Sequence, residues 1–354
     1  MELDSSWFTP WLIPFAWFAA VFAATLAGTG AVLGILRRRA IFDYPNQRSS
    51  HRTPTPRGGG IALVIVLLPA CAAIAYLMPA EGPAIWLVLG AAFMLAVISW
   101  LDDLRGLVPL LRLAAHILAV AAVLTALPRD AMIFQGFLPS VFDRLAAGIL
   151  WVWFINLFNF MDGIDGIAGV EAACIGFGLF LLAAFTGGDG QGAVFGLTIA
   201  AAALGFLWWN WHPARVFLGD VGSVPLGFLL GWLLLEKAVA GFWAAALILP
   251  LYYLADATIT LLGRLVRGRR IWQAHAEHFY QKAVREGFSH AAVVRSVLAA
   301  NLALIAFALL AAKGAEWASL VGAAVTVAAL LGFLMRFRRR GSAGGGASPS
   351  GFDP

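Results

Sequence analysis

The feature that most constrains this chain is a series of long apolar segments, because a lipid bilayer allows a backbone few structures. About 20 consecutive apolar residues span the hydrocarbon core as a helix, and inside it every backbone N–H and C=O needs a hydrogen-bond partner within the protein. A sliding-window reading of the sequence, which is 61% hydrophobic and 12% charged, finds about eleven such segments. They are residues 11–36, 59–78, 85–101, 109–127, 142–160, 167–186, 193–211, 223–236, 242–262, 291–312 and 317–335. The sequence therefore predicts an all-α, polytopic transmembrane helix bundle.

The basic residues predict how this bundle is oriented. They cluster on one predicted side, and few lie on the other: Arg129, Arg144, Lys237 and Lys313. The positive-inside rule assigns the basic side to the cytoplasm, so an odd number of spans places the N-terminus outside and the C-terminus in the cytoplasm. We expect one membrane domain over residues 1–340 and a disordered, Gly/Ser-rich cytoplasmic tail over 341–354. The net charge of +5 requires no nucleic acid, because topology and anionic lipid headgroups account for it.

Most of the distinctive polar residues lie in connections on the predicted cytoplasmic side. Ionisable residues beside membrane spans are costly, and function is the usual reason for their presence. These connections are residues 43–60, 100–107, 159–166, 215–223 and 264–290. Because they share one face of the bundle, we expect them to form a single site.

The connection WLDDLRGL carries two adjacent carboxylates, Asp102 and Asp103. Adjacent carboxylates repel each other unless a cation lies nearby, and that cation is either Arg105 or a divalent metal ion. A solvated helix cap is the alternative interpretation of this pair.

Asp220 lies between two glycines, Gly219 and Gly222, directly before a predicted span. Glycines let a backbone approach a ligand closely, and the free N–H groups at the start of a helix attract anions. A carboxylate would repel a phosphate there unless it binds Mg²⁺, which prefers oxygen ligands and substrate phosphates. The alternative is an ordinary helix start, capped by Asp220 or Ser223.

The segment NLFNFMDGIDGIAG places polar side chains at every third position: Asn156, Asn159, Asp162 and Asp165. Three residues turn a helix by about 300°, so a continuous helix would present the four as a slowly drifting stripe. Gly163 and Gly166 would leave room beside the aspartates for a bulky ligand. We expect this stripe to form one wall of a pocket at the cytoplasmic end of a span.

Two further connections suggest contacts with anions. His275 and His278 stand three residues apart among several arginines, and only Glu277 is nearby to complete a zinc site, so a phosphate or diphosphate fits better than zinc. A membrane-hugging amphipathic helix is the alternative. In the first connection, His51, Arg52 and Arg57 precede a run of glycines and are candidate anion contacts, or simply part of a rigid start to the next helix.

Two polar residues are given structural interpretations. Asp256 lies within a predicted span and should face the interior of the bundle. His212 ends a span beside a proline and three tryptophans, where we interpret it as an anchor at the membrane interface.

Taken in order, the motifs resemble those of the polyprenyl-phosphate N-acetylhexosamine-1-phosphate transferases, glycosyltransferase family 4. The motifs are DYPNxRSSHxxPTPRGGG, DD, NxxNxxDGIDG, FxGDxGS and a histidine-containing loop, between about residues 43 and 290. The resemblance implies a bacterial enzyme of the inner (cytoplasmic) membrane with its active site facing the cytoplasm. It further implies transfer of a sugar 1-phosphate from a UDP-sugar to undecaprenyl phosphate, release of UMP, and a requirement for Mg²⁺ that Mn²⁺ can also meet. A homodimer is the expected assembly.

The resemblance also assigns roles, motif by motif. Asp102 and Asp103 match aspartates near the acceptor phosphate, Asp220 the Mg²⁺ ligand, and Phe217 the aromatic residue on which uracil stacks. The polar helix end lines the nucleotide and magnesium region: Asn156, Asn159, Asp162 and Asp165. His275 and His278 match the histidine-rich loop, although the cell-wall member of the family has consecutive histidines where this chain has HAEHFYQ.

The form of that loop bears on the donor. Together with RSSHxxPTPRGGG it resembles the branch that initiates O-antigen and similar surface polysaccharides, whose donors are UDP-N-acetylglucosamine or UDP-linked 6-deoxy-N-acetylhexosamines. Two alternatives remain: a phospho-N-acetylmuramoyl-pentapeptide transferase of peptidoglycan synthesis, and a membrane transporter, which would place its polar groups near mid-bilayer.

In the expected reaction the lipid phosphate attacks the β-phosphorus of the UDP-sugar. Catalysis then consists mainly of positioning and charge neutralisation, with the arginines and His275 and His278 offsetting negative charge. We expect Asp102 to orient or deprotonate the acceptor phosphate, whose second pKa lies near 6. A covalent aspartyl-phosphate intermediate is the alternative mechanism.

Overall fold

The computed structural model describes residues 9–45, 50–51, 53–79, 84–128, 130–187, 190–270 and 275–336. Arg52 and the tail 341–354 lie outside these residues. The helices are α1 Thr9–Arg38, α2 Gly60–Leu77, α3 Ala84–Arg105, α4 Pro109–Ala126, α5 Ser140–Phe160, α6 Ile167–Thr186, α7 Gly190–Asn210, α8 Asp220–Val239, α9 Trp243–Ile248, α10 Leu251–Val266, α11 Phe279–Arg285, α12 His290–Ala311 and α13 Glu316–Leu334. The two short strands, β1 Phe42–Asp43 and β2 Thr55–Pro56, pair antiparallel.

The all-α, polytopic prediction is confirmed. In the described part of the chain, ten helices are long and apolar enough to cross a membrane: α1 to α8, α12 and α13. The predicted segment 242–262 is not one continuous helix, because it is divided into α9 and α10 at Leu249 and Pro250. A proline has no N–H to donate to the carbonyl four residues earlier, and its ring clashes with that carbonyl. The eleventh segment is therefore a broken pair of shorter helices.

Helix α8 occupies the centre of the bundle. In its apolar window 94% of the residues are buried, compared with 28% in α4. It packs against α2, α3 and α5, and small residues allow close approach, as is usual between helices in membranes. At Gly231, for example, a Cβ atom would lie 2.5 Å from the indole ring of Trp151 on α5.

The chain passes back and forth so that many helix ends meet at one end of the bundle. The ends of α3, α5 and α7 meet there with the beginnings of α2, α6, α8 and α12 through the contacts described below. The strand pair joins Asp43 to Thr55 and holds the first connection against this end. The fold thus gathers connections far apart in sequence, as the sequence predicts.

Candidate active site

A polar cavity of about 350 Å³ lies at this end of the bundle. Seven of the residues predicted for the site line it: His51, Arg57, Asn159, Asp162, Asp165, Phe217 and Asp220. Further lining residues have no predicted site role: Asp43, Ser50, Asn210, Gln281 and His290. The cavity therefore receives side chains from the first connection, the end of α5, the start of α8 and the region around α11 and α12.

The glycines of the first connection bring two helix starts together. The N–H groups of Gly58 and Gly59 donate to the carbonyl of Phe217 at 3.2 and 2.8 Å, and that of Gly60 donates to the carbonyl of Leu218 at 2.9 Å. A Cβ atom at Gly60 would lie 2.5 Å from the backbone of Gly222 on α8. Only glycine at this position permits α2 and α8 to begin side by side.

Asp103 caps the start of α8 from another helix. Its Oδ1 atom accepts from the N–H of Asp220 at 3.2 Å, and its Oδ2 atom accepts from the N–H of Val221 at 3.0 Å. These N–H groups have no partner within their own helix. Gly219 has a φ of +75°, and a Cβ there would lie 2.7 Å from Asp103 Oδ2. The GD motif and the DD motif are thus directly bonded.

Two arginines hold the carboxylate of Asp220. Arg57 Nη2 lies 2.9 Å from Asp220 Oδ1 and 2.8 Å from Asp103 Oδ1. Arg112 Nη1 lies 3.4 Å from Asp220 Oδ2 and 2.8 Å from Asp102 Oδ2. Burial opposes the charge of Arg57, but the carboxylates of Asp103 and Asp220 outweigh it and raise the arginine's pKa.

The cation beside Asp102 is Arg112 and not the neighbouring Arg105. The other carboxylate oxygen of Asp102 accepts from the N–H of Leu107 at 2.6 Å, so both oxygens are bonded. Asp102 is only 8% exposed and is not among the residues that line the cavity. Sequence reasoning did not single out Arg112, although it belongs to the predicted basic cluster on this side.

The polar stripe is only partly helical, because α5 ends at Phe160. Asn156 donates to the carbonyl of Val152 in its own helix and does not line the cavity. Asn159 donates to Ser223 Oγ at 2.9 Å, which ties the end of α5 to α8. The expected free space beside Gly163 is taken by the Tyr280 hydroxyl, which a Cβ atom at Gly163 would overlap.

The two aspartates of the stripe lie in different electrostatic environments. Burial, and then repulsion from Asp220, raises the pKa of Asp162 to about 7. Burial also disfavours the charge of Asp165, but hydrogen bonds from His290 and His212 outweigh it and lower that residue's pKa. Of the two, Asp162 is the one whose pKa is raised by the charge of Asp220.

Asp165 lies between two histidines. His212 Nδ1 is 2.6 Å from Asp165 Oδ2, and His290 Nδ1 is 3.2 Å from Oδ1. The N–H of Ala214 donates to Oδ2 at 3.1 Å. Sequence reasoning missed this bond between the His212 ring and the NxxNxxDGIDG motif, and the interpretation of His212 as a membrane-interface anchor stays a prediction.

His275 and His278 lie away from the cavity lining. His278 is 2% exposed, and its Nδ1 atom is 3.2 Å from Asp256 Oδ1. Asp256 also accepts from the N–H groups of Phe279 and Tyr280 at 3.0 and 3.3 Å, so it caps α11. Burial, and then the nearby His278, lowers the pKa of His275 to about 4. The histidines that line the cavity are His51 and His290.

The arginines of the same connection are largely occupied. Glu277 accepts from Arg264, from Arg267 at 3.2 Å and from Arg269 at 2.9 Å. Arg264 also donates to the backbone carbonyl of Arg270 at 3.0 Å. The cations that face the cavity carboxylates are instead Arg57 and Arg112.

Phe217 and His51 form an aromatic corner of the cavity. Their ring centroids are 4.8 Å apart with an interplanar angle of 62°. His51 Nε2 is buried and has no hydrogen-bond partner within the described residues. Since a buried polar atom without a partner is costly, this nitrogen is suited to a polar ligand in the cavity.

The oxygen groups around Asp220 fit a hard divalent cation. Mg²⁺ prefers carboxylate and other oxygen ligands, and Asp220, Asp162 and Asn159 all line the cavity. The pKa of about 7 at Asp162 reflects burial first and then repulsion from Asp220, and a cation would relieve that repulsion. The residues present therefore fit Mg²⁺ at Asp220 and Asp162.

Comparisons with known proteins show the family to which this chain is similar. Residues 85–238 match the family model described as glycosyl transferase family 4. A Streptomyces coelicolor protein whose name describes a glycosyltransferase is 30% identical over 323 residues, which cover 83% of this chain and 68% of that protein. The probable undecaprenyl-phosphate N-acetylglucosaminyl 1-phosphate transferase of Bacillus subtilis is 29% identical over 289 residues, 76% of this chain and 78% of that protein. The phospho-N-acetylmuramoyl-pentapeptide-transferase of a Hydrogenobaculum strain is 26% identical over 271 residues, 67% of this chain and 74% of that protein.

Proposed function

Because this chain belongs to glycosyl transferase family 4, we propose that it transfers an N-acetylhexosamine 1-phosphate from a UDP-sugar to undecaprenyl phosphate, with release of UMP. The observation that carries this proposal is the cavity in which Asp220 and Asp162 lie beside Arg57 and Phe217. Carboxylates for a metal ion, a cation for phosphates and an aromatic ring for a base are the groups that a nucleotide diphosphate requires.

In the proposed reaction, an oxygen of the acceptor phosphate forms a bond to the β-phosphorus of the donor. The bond from that phosphorus to the bridging oxygen breaks, and UMP leaves with that oxygen. Arg57 and Arg112, which already converge on Asp220, are placed to offset the charge on the transferred group. Mg²⁺ held by Asp220 and Asp162 would supply further neutralisation of the diphosphate.

The paired aspartates have different proposed tasks. Asp103 fixes the start of α8, and so the position of Asp220, through its bonds to the first two N–H groups of that helix. Asp102 orients Arg112 through their contact at 2.8 Å. Since the second pKa of a phosphate monoester lies near 6, the acceptor is largely deprotonated at neutral pH and needs little help from a base.

For the donor, we propose UDP-N-acetylglucosamine or a UDP-linked 6-deoxy-N-acetylhexosamine, as in the initiation of surface polysaccharides. The HAEHFYQ loop supports this choice, and so does the name of the Bacillus subtilis relative. The cavity of about 350 Å³ lies at the small end of the range for ligand sites, which favours a donor without a peptide. The muramoyl-pentapeptide donor is the second candidate, supported by the Hydrogenobaculum relative.

The proposed setting is the bacterial cytoplasmic membrane, with the cavity facing the cytoplasm, the N-terminus outside and the C-terminus inside. UDP-sugars are water-soluble and the acceptor is a lipid, so the reaction needs a site at the membrane surface on the side where the nucleotide is made. The cavity at one end of the bundle meets this requirement, whereas a transporter would need polar groups near mid-bilayer.

The direct test uses purified protein, undecaprenyl phosphate, Mg²⁺ and a panel of UDP-sugars, with UMP release as the measurement. We expect turnover with at least one UDP-N-acetylhexosamine and none with Asp220→Asn. Asp130→Asn changes an exposed carboxylate outside the cavity and serves as the matched control. Absence of UMP with every donor would contradict the proposal, and release only with the muramoyl-pentapeptide donor would establish the second candidate.

A further inference from the structure

Asp165, His212 and His290 bring three potential metal ligands together from three parts of the chain. Asp165 lies in the turn after α5, His212 in the turn after α7, and His290 is the first residue of α12. One ligand atom from each residue can be chosen so that all three lie within 4.8 Å of one another. No step of the proposed transfer reaction uses these two histidines.

The two ring nitrogens of His290 face different groups. His290 Nε2 lies 3.1 Å from the carbonyl oxygen of Ser50. A carbonyl only accepts, so Nε2 carries the hydrogen. Nδ1 faces the cluster, 3.2 Å from Asp165 Oδ1 and 3.3 Å from the backbone N of Asp165, and it can bind an ion once it releases the hydrogen that it donates to Oδ1. Histidines that bind metals commonly have this arrangement, with the second ring N–H bonded to a carbonyl or carboxylate.

The other two groups complete a set with an open side. Asp165 is 6% exposed, whereas the side chain of His212 is 37% exposed, so an ion from solution can reach the cluster past the His212 ring. Two imidazoles and one carboxylate bind zinc and related transition metals well. Magnesium prefers oxygen ligands only, which the group around Asp220 supplies.

We propose that Asp165, His212 and His290 form a binding site for a divalent transition-metal ion of the zinc class, separate from the oxygen-lined position at Asp220. Binding requires that His212 Nδ1 release the hydrogen it shares with Asp165 at 2.6 Å and turn its lone pair to the ion. The bound ion then joins the turn after α5 to the start of α12, and thereby fixes one wall of the cavity.

The test measures zinc binding to the full-length protein in detergent, purified with a histidine-free tag and stripped with a chelator. Zinc is titrated in excess Mg²⁺, and bound zinc is measured by equilibrium dialysis with elemental analysis. We expect one zinc ion per chain. His212→Asn and His290→Asn should each raise the Kd at least about tenfold, since even the groups that only orient metal ligands change affinity by about 10–100-fold.

Two matched variants separate this site from other candidates. Asp220→Asn removes the oxygen-lined position, and His275→Asn removes a histidine whose ring lies 5.0 Å from that of His278; both should keep the wild-type zinc affinity. Equal zinc binding by wild type, His212→Asn and His290→Asn would overturn the proposal, as would no stoichiometric binding by wild type. Should the variants fail to fold, wild-type protein loaded with Co²⁺ decides: visible d–d bands of a four- or five-coordinate ion support the site, and their absence overturns it. Neither measurement involves a donor or acceptor, so the outcome is independent of the transferase proposal.

Discussion

Replacement of Asp103 by alanine should loosen the start of α8 by a measurable amount. The carboxylate is 3% exposed and pairs with Arg57 at 2.8 Å, while it accepts from the N–H groups of Asp220 and Val221. Alanine leaves both N–H groups without a partner. Loss of a helix cap costs about 0.5–2 kcal/mol, and the buried position of this one places the expected loss at about 2 kcal/mol. Asn retains one acceptor oxygen, so Asp103→Asn should lose about half as much.

The loss can be read as a shift in thermal unfolding. The entropy of unfolding grows with chain length, so a chain of 354 residues shifts its Tm by about 1–2 °C per kcal/mol. Asp103→Ala should therefore unfold about 2–4 °C below wild type in detergent, measured by the fraction that stays monodisperse after heating at one fixed rate. Asp103→Asn should lie between the two.

Activity provides the second readout, because Asp103 holds the backbone of Asp220. The alanine variant should lose more transfer activity per folded molecule than the asparagine variant. Asp130→Ala, a change at an exposed residue, is the control for nonspecific effects. If Asp103→Ala unfolds at the same temperature as wild type and the control, then Asp103 does not cap α8 and this explanation of the DD motif fails.

Three further predictions follow from the site and the bundle. In the presence of a chelator, the stability of wild type should fall as pH rises from about 4 to about 7. The reason is that the pKa of Asp162 is about 7 in the folded state against the ordinary 3.8, so the folded protein holds a proton that it must give up over this range. Asp162→Asn should remove this part of the pH profile. Gly60→Ala should destabilise by about 1–3 kcal/mol, because its Cβ would lie 2.5 Å from backbone atoms, whereas Gly34→Ala meets nothing within 4 Å. By the predicted orientation, a cysteine at Arg269 should react with a membrane-impermeant thiol reagent only after the membrane is opened, and one at Asp130 should react in intact cells. Both native cysteines are buried, so they should contribute little labelling of their own.

Each of these has a contrary result. A pH profile that is unchanged in Asp162→Asn would contradict the raised pKa of Asp162, which burial and then repulsion from Asp220 produce. Equal unfolding temperatures of Gly60→Ala and Gly34→Ala would contradict the close approach of α2 and α8. Labelling of the Arg269 position in intact cells would reverse the orientation that the basic residues predict.

The membrane spans were predictable because hydropathy alone marks a segment that must satisfy its backbone in lipid. The break in the segment 242–262 was not. Prolines also lie inside α1, α2 and α8 at Pro14, Pro69 and Pro225, and those helices continue through them. A proline ends a helix only where the surrounding packing accepts the bend, and local sequence does not show which proline that is.

The motifs located most of the cavity, but partners distant in sequence were missed. Asp102 contacts Arg112 and not Arg105, because the chain turns at Gly106, with a φ of +67°, and α4 then brings Arg112 back. His212 is 47 positions from Asp165 and reaches it only because α6 and α7 pack side by side. The predicted stripe Asn156, Asn159, Asp162 and Asp165 is not one continuous helix, because α5 ends at Phe160 and both aspartates lie beyond that end.

The burial of α8 has a consequence for the dynamics of the site. Asp220 is the first residue of α8, and 94% of the residues in the apolar stretch of that helix are buried. The N–H of Asp220 donates to Asp103. Local opening is usually confined to elements with few buried contacts. The backbone amides at the beginning of α8 should therefore exchange with deuterium only in the largest openings of the bundle. Substrates would then meet a carboxylate that stays in place, and adjustment to each donor would fall to the more exposed side chains around it.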